Sequence, residues 1–202
     1  MRKYGLVLGL MAVCSLPVHA ESSYEEKGRA LFEMIQAQAK QGNVNALFEM
    51  GQAYRLGLFV EQDYDKAAEY LSKAANKGHS DAQNSLGLLF QKGLGVVQSF
   101  GVAKQWFEAS AEQGNAFAMM NLGSLYANGW GVMRHMPTAC RYYKQAADAS
   151  GEAQAEGNVG VCWLNGDFNG VVDRAEAARW LRKAAAKGYE QAISLLKENH
   201  LD

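Results

Sequence analysis

The fold is decided by the stretch Ala82–Gly114, AQNSLGLLFQKGLGVVQSFGVAKQWFEASAEQG. Its marks are Ala82, Leu86-Gly87, Phe90 and Gly93 in one half, then Ala103, Trp106, Ser110-Ala111 and Gly114 in the other. The same marks recur on both sides. Gly51, Gly87 and Gly123 are 36 residues apart, and Gly160 follows after 37. An aromatic stands three places after each: Tyr54, Phe90, Tyr126 and Trp163. A second aromatic column runs Tyr70, Trp106, Tyr142 and Trp180, and Gly78, Gly114, Gly151 and Gly188 close the units. Self-similarity at this period is the signature of a solenoid.

Each unit reads as two helices. In the first copy, Ala46, Met50, Ala53 and Tyr54 share one face of a helix over about Asn45–Leu56, because i, i+4, i+7 and i+8 are neighbours on a helix. Gly57 ends it, since glycine takes the left-handed conformation without Cβ strain. Ala67, Tyr70, Leu71, Ala74 and Ala75 face inward from a second helix over about Tyr64–Lys77. Gly51 lies inside the first helix, at a cost of roughly 1 kcal/mol against alanine. Its recurrence predicts close packing, with the aromatic of the second helix lying against the bare backbone. Trp106 is thereby expected in a packing column.

No unit can bury its apolar face alone, so the units must stack. Met34, Ile35, Ala39 and Gly42 repeat only the second helix, and Ala192 and Leu196 only the first. Lys197 stands where the packing glycine belongs and His200 where the aromatic belongs, which marks an end. The expected architecture is all-α: a cap helix within 24–42, helix pairs at 43–78, 79–114, 115–151 and 152–188, and a cap within 189–202.

The pattern A-x-x-x-L-G-x-x-Y-x-x-G-x-G-V, followed by A-x-x-W-x-x-x-A-A-x-x-G, resembles the Sel-one-like repeat family over residues 34 to 196. Phe59 departs from it at the second loop glycine of copy one, and copy four lengthens that loop by one residue, Gly166 to Gly170. The resemblance implies a right-handed α/α superhelix, similar to tetratricopeptide arrays, whose concave face is lined by the first helices.

Composition agrees with helices. Of 202 residues, 13 are Val, two Ile and one Thr, too few β-branched residues for a large sheet. Lys+Arg number 20 against Asp+Glu 21, which gives no support for nucleic-acid binding. Arg2-Lys3, the apolar run Gly5–Leu16 and Val18-His19-Ala20 read as a secretory leader of residues 1–20, cut after Ala20. That run is too short to span a bilayer, which takes roughly 20 residues. A lipidated Cys14 is the alternative, but Val13 stands before it where a small residue is wanted. Cleavage leaves 18 basic and 21 acidic side chains, with no net excess of base to seek phosphate or lipid headgroups.

The mature chain keeps Cys140 and Cys162, each 11 residues from Gly151. Two helices packed antiparallel about that turn put them at one height. In an oxidising compartment this reads as a disulfide, the alternative being two buried thiols. No Cys/His cluster points to a metal, and no cofactor is implied. His79, His135 and His200 have no nucleophile or carboxylate at meaningful spacing. Ser194-Leu-Leu-Lys197 matches an S-x-x-K tetrad but lacks S-D-N and K-T-G, so a β-lactamase-like hydrolase is a remote alternative that family relatives keep in view. Gly93-Leu-Gly95 and Gly129-Trp-Gly131 follow helices, not a strand, and are no phosphate loops.

The tetratricopeptide likeness puts partner contacts on first-helix positions not needed for packing. These are Asn45, Phe48, Gln52 and Arg55; Asp81, Asn84, Leu88 and Gln91; Phe117, Met120, Ser124 and Asn128; and Gln154, Val161 and Asn165. Amides among them suit an extended backbone, and Phe48, Leu88, Phe117 and Met120 are apolar where water is expected. The loops at Gly57, Gly93, Gly129 and Gly166 are the other place to look. The reading is a periplasmic, non-enzymatic scaffold for a protein partner, monomeric and without a membrane span. The family also contains immunity proteins against secreted lipase effectors, which is the alternative role.

Overall fold

The computed structural model describes residues 18–201, with side chains described from Glu26 onward. Residues 1–17 of the expected leader lie outside the described residues. Ten helices, and no strand, occur among the described residues: α1 Val18–Lys40, α2 Val44–Leu56, α3 Tyr64–Asn76, α4 Ser80–Lys92, α5 Phe100–Glu112, α6 Ala116–Asn128, α7 Met136–Ser150, α8 Ala153–Asn165, α9 Arg174–Ala186 and α10 Glu190–Glu198. The pairs α2/α3, α4/α5, α6/α7 and α8/α9 make the closest contacts, and each pair packs on the next. α1 and α10 close the ends as single helices, giving a solenoid of four helix pairs with two caps.

Local chemistry sets the boundaries. Asn43, Asp63, His79, Ser99, Asn115, His135 and Asp173 each cap a helix by accepting a hydrogen bond from a backbone N–H in its first turn, which supplies a donor otherwise left without a partner. Every first helix of a pair ends on a left-handed glycine, Gly57, Gly93, Gly129 or Gly166.

The glycines inside the first helices permit close packing, but the partner side chain is not the expected aromatic column. A Cβ on Gly51, Gly87, Gly123 or Gly160 would strike Leu71, Phe107, Tyr143 or Leu181. These stand one residue after Tyr70, Trp106, Tyr142 and Trp180. Two adjacent positions of a second helix both turn toward its partner, the second against the glycine and the first toward the aromatic column of the first helix. Tyr70 stacks on Tyr54, and Tyr142 on Tyr126, each at 5.8 Å between centroids. Trp106 is only half-buried and lines a cleft with Phe90, Ser72 and Val102. Phe107 is the fully buried ring of that repeat.

The loops within the pairs stack along one edge. A Cβ on Gly95 would lie 2.0 Å from the Tyr64 carbonyl oxygen, and one on Gly131 would lie 2.5 Å from Phe100 Cβ. Each loop thus rests on the second helix of the preceding repeat. Trp130 stacks on Phe100 at 5.8 Å. In the first loop the arrangement is inverted. Phe59 takes the glycine position, with φ of 59°, and its ring fills the space left by Gly28 on α1.

Candidate functional site

The exposed side of α2, α4, α6 and α8 carries the residues singled out from the sequence. Consecutive first helices touch through them. Gln52 Nε2 donates to Ser85 Oγ at 3.3 Å, and Asn121 Nδ2 donates to Asn84 Oδ1 at 2.8 Å. Asn158 Nδ2 lies 3.8 Å from Met120 Sδ. At the edge of this ladder, Asn115 Nδ2 donates to Asp81 Oδ1 at 2.8 Å. Arg55 Nε donates to Gln52 Oε1 at 2.6 Å, so Gln52 is held from two sides. The ladder residues Ser85, Asn121 and Asn158 escaped the sequence reading. Their own recurrence, two places before each packing glycine, is the signal that finds them.

This geometry corrects the idea that the apolar positions on this face are idle in packing. Phe48 stacks on His79 at 4.5 Å and packs against the first core cluster. Leu88 packs against the cluster holding Leu122 and Leu125, and Met120 against the one holding Ala155 and Val159. The reason is the stacking itself: each first helix lies beside the next one, so its flank is a seam between repeats. Phe117 is different. It is 59% exposed on α6. Asn45, Asp81, Asn128, Gln154 and Asn165 are exposed, and Gln91, Ser124 and Val161 are half-buried. Ser124 Oγ donates to the Met120 carbonyl, and Asn128 Nδ2 to the Ser124 carbonyl. Burial pushes the pKa of the neighbouring Tyr143 phenol up.

Cys140 on α7 and Cys162 on α8 form a disulfide, with Cα atoms 5.9 Å apart. It joins the third repeat to the fourth. The Asp167 carboxylate comes within 4.8 Å of both sulfurs, brought there by the lengthened fourth loop. The histidines serve local structure: His79 and His135 are helix caps. Ser194 and Lys197 lie exposed on α10. No described helix is long and apolar enough to cross a membrane.

Apart from Leu31 and Met34 on α1, the remaining exposed large apolar residues lie in the loops within the pairs or at the end of α2. Val97 and Met133 are each 88% exposed; Trp130 shares the loop of Met133, and Val171 and Val172 are exposed in the fourth loop. They sit in the loops that the sequence reading held as the second place to look, and their exposure becomes visible only once the loops are seen stacked.

No curated relative matches the sequence. Among solved structures, a Sel1 repeat protein from Oxalobacter formigenes is 28% identical, with a TM-score of 0.75 over 89% of this chain and 73% of its own. A protective antigen of uropathogenic Escherichia coli with an SLR fold is 27% identical, with a TM-score of 0.76. It is the longer protein: the match covers 88% of this chain but 42% of the antigen. An immunity protein from Pseudomonas aeruginosa is 19% identical, with a TM-score of 0.53 over 89% of this chain and 70% of its own, and shares the fold. The Sel1 repeat model matches residues 44–79, 80–115, 116–150 and 153–189, each span one helix pair of the solenoid, and the chain therefore belongs to the Sel1 repeat family.

Proposed function

We propose that this chain is an exported, non-enzymatic scaffold of the periplasm. It binds a protein partner through the first-helix face around Phe48, Gln52, Arg55, Asn84, Leu88, Gln91, Phe117, Met120, Ser124 and Asn128. The observation that carries this reading is Phe117, a large apolar side chain 59% exposed on that face, where burial against a partner gains roughly 25 cal/mol per Å². The leader pattern and the disulfide support export, since disulfides persist in oxidising compartments.

The test is a photo-crosslinking amino acid placed at Phe117 in living cells. A discrete crosslinked protein is expected, and Phe117→Asp should abolish the complex with the melting temperature unchanged. A complex that survives Phe117→Asp would place the partner elsewhere. An immunity role is the second reading, prompted by the Pseudomonas neighbour, whose likeness is one of fold. The crosslinked species separates the two: a resident envelope protein for a scaffold, a secreted toxin for an immunity protein.

A further inference from the structure

Net charge averages over the whole surface and hides one local feature. From Gln113 to Ala147 the sequence has no acidic residue, although the chain carries 21 in all. That window covers the third repeat up to the last turn of α7, where Asp148 stands. It holds Arg134, Arg141 and Lys144, and Lys144 is paired with Asp148 at 2.5 Å. The preceding loop, from Lys92 to Ser99, is also free of acid. Lys92 and Arg134 are exposed and make no ion pair among the described residues.

These two loops carry the most exposed large apolar side chains described, Val97 and Met133, each 88% exposed. Gly131 rests on Phe100 and Trp130 stacks on the same ring, so the third loop is fixed beside the second. Next to them Thr138, Arg141, Tyr142 and Gln145 line a shallow polar cleft, and the carboxylate close to it, Glu108 near Tyr142, is paired with Lys104 at 2.5 Å. Carboxylates border this edge on the side of the first loop: Asp65 at the start of α3, whose backbone touches the Gly95 position, and Glu61 and Asp63 within that loop.

We infer that this loop edge docks on the surface of a bilayer with anionic headgroups. Val97 and Met133 enter the acyl boundary, Trp130 sits at headgroup level, and Lys92, Arg134 and Arg141 meet the phosphates. Charge complementarity selects this occupant: aliphatic tips in two loops that carry the exposed cations Lys92 and Arg134 and no carboxylate match an anionic interface. Separate protruding tips also suit a deformable lipid phase, whereas protein hot spots fill packed pockets. The inference is independent of the first-helix reading, because it uses other residues and another class of ligand.

The experiment is flotation of the full chain with phosphatidylcholine vesicles, with and without phosphatidylglycerol. Every sample keeps residues 1–20, so only differences between variants count. Wild type is expected to float with the anionic vesicles and to be released by added salt. Val97→Asp with Met133→Asp should lower the bound fraction roughly tenfold or more, and Arg134→Glu should lower it roughly fivefold. Both variants should melt as wild type, because the altered side chains lie in water. Failure of wild type to float, or tip variants that float as wild type does, overturns the inference. If vesicle binding fails and the same variants instead lose a crosslinked protein, the edge is a protein interface and the lipid assignment is wrong.

Discussion

Phe59 and Gly28 show how a single exchange is absorbed. Loops two and three present glycine to a bulky residue of the preceding second helix, Gly95 to Tyr64 and Gly131 to Phe100. Loop one presents Phe59 to Gly28. The bulk has changed sides, and the cost is a non-glycine residue at φ of 59°, about 1–2 kcal/mol. Two alanine substitutions should therefore behave differently. On Gly95 the new Cβ meets backbone at 2.0 Å with φ of 65°, and a carbonyl cannot move without lifting the loop off α3. Gly95→Ala should cost more than about 2 kcal/mol in urea unfolding. On Gly28 the Cβ meets the far side of a largely exposed ring. That ring can swing out, and alanine favours the helix by roughly 1 kcal/mol. Gly28→Ala should stay within about 1 kcal/mol of wild type. Equal losses from the two would mean that the first loop is as tightly held as the second.

Between elements, the seam joining α7 to α8 is the one built differently. At the other two seams between helix pairs, Gly78 or Gly114 follows the second helix by two residues, and the next first helix begins after a side-chain cap at His79 or Asn115. Here α7 is longer, at 15 residues, and ends directly on Gly151. Glu152 makes no side-chain cap for α8. The Cys140–Cys162 disulfide replaces the missing local order by a covalent tie across the turn, aided by Lys187, whose Nζ reaches both the Gly151 carbonyl at 2.5 Å and Glu156 at 2.7 Å. Closing a loop of 22 residues is worth about 3 kcal/mol in the chain-entropy account. Cys140→Ala with Cys162→Ala should lower stability by up to about that amount while circular dichroism stays helical, because repeat packing makes the fold. Hydrogen exchange should place the loss in α7, α8 and α9 and leave α2 to α4 untouched. Uniform loss over all repeats would show that the seam is not a local clamp.

Across the whole molecule, what was legible in the sequence is what repeats. Period, helix ends and pairing each appear four times, so chance is averaged out, and the two caps show as departures from that pattern. The disulfide was legible because Gly151 fixes two helices about one turn. Less legible was any distinction between adjacent helix positions. Trp106 and Phe107 are adjacent, yet Trp106 lines the cleft shared with Ser72 and Asn76 of α3 while Phe107 is buried in the core. Phe48 and Met120 fell to the same cause, since their burial comes from the flank of the next repeat. The chain's ends follow from the same rule of neighbours. α10 shields Leu181 and Ala184 of α9 with Ala192, Leu196 and Leu201. Its outer side shows Glu190, Gln191, Ser194 and Lys197 to water. The last residues fold back: Leu201 is buried, its N–H donates to the Leu196 carbonyl at 2.9 Å, and Arg182 holds its carbonyl at 2.6 Å. In a one-dimensional array, stability is a sum of repeats and seams. Removing residues 190–202 deletes one seam and bares two buried leucines' worth of apolar surface. A loss of about 4 kcal/mol follows, confined to the fourth pair. Urea unfolding should then split into two phases, the weaker reporting α8 and α9, with α1 to α6 melting as before. The disulfide at α7/α8 should stop the fraying from passing into the third pair. A single transition at the wild-type midpoint would mean that α10 is no cap, and that the polar residues on its outer side do not mark the end of the array.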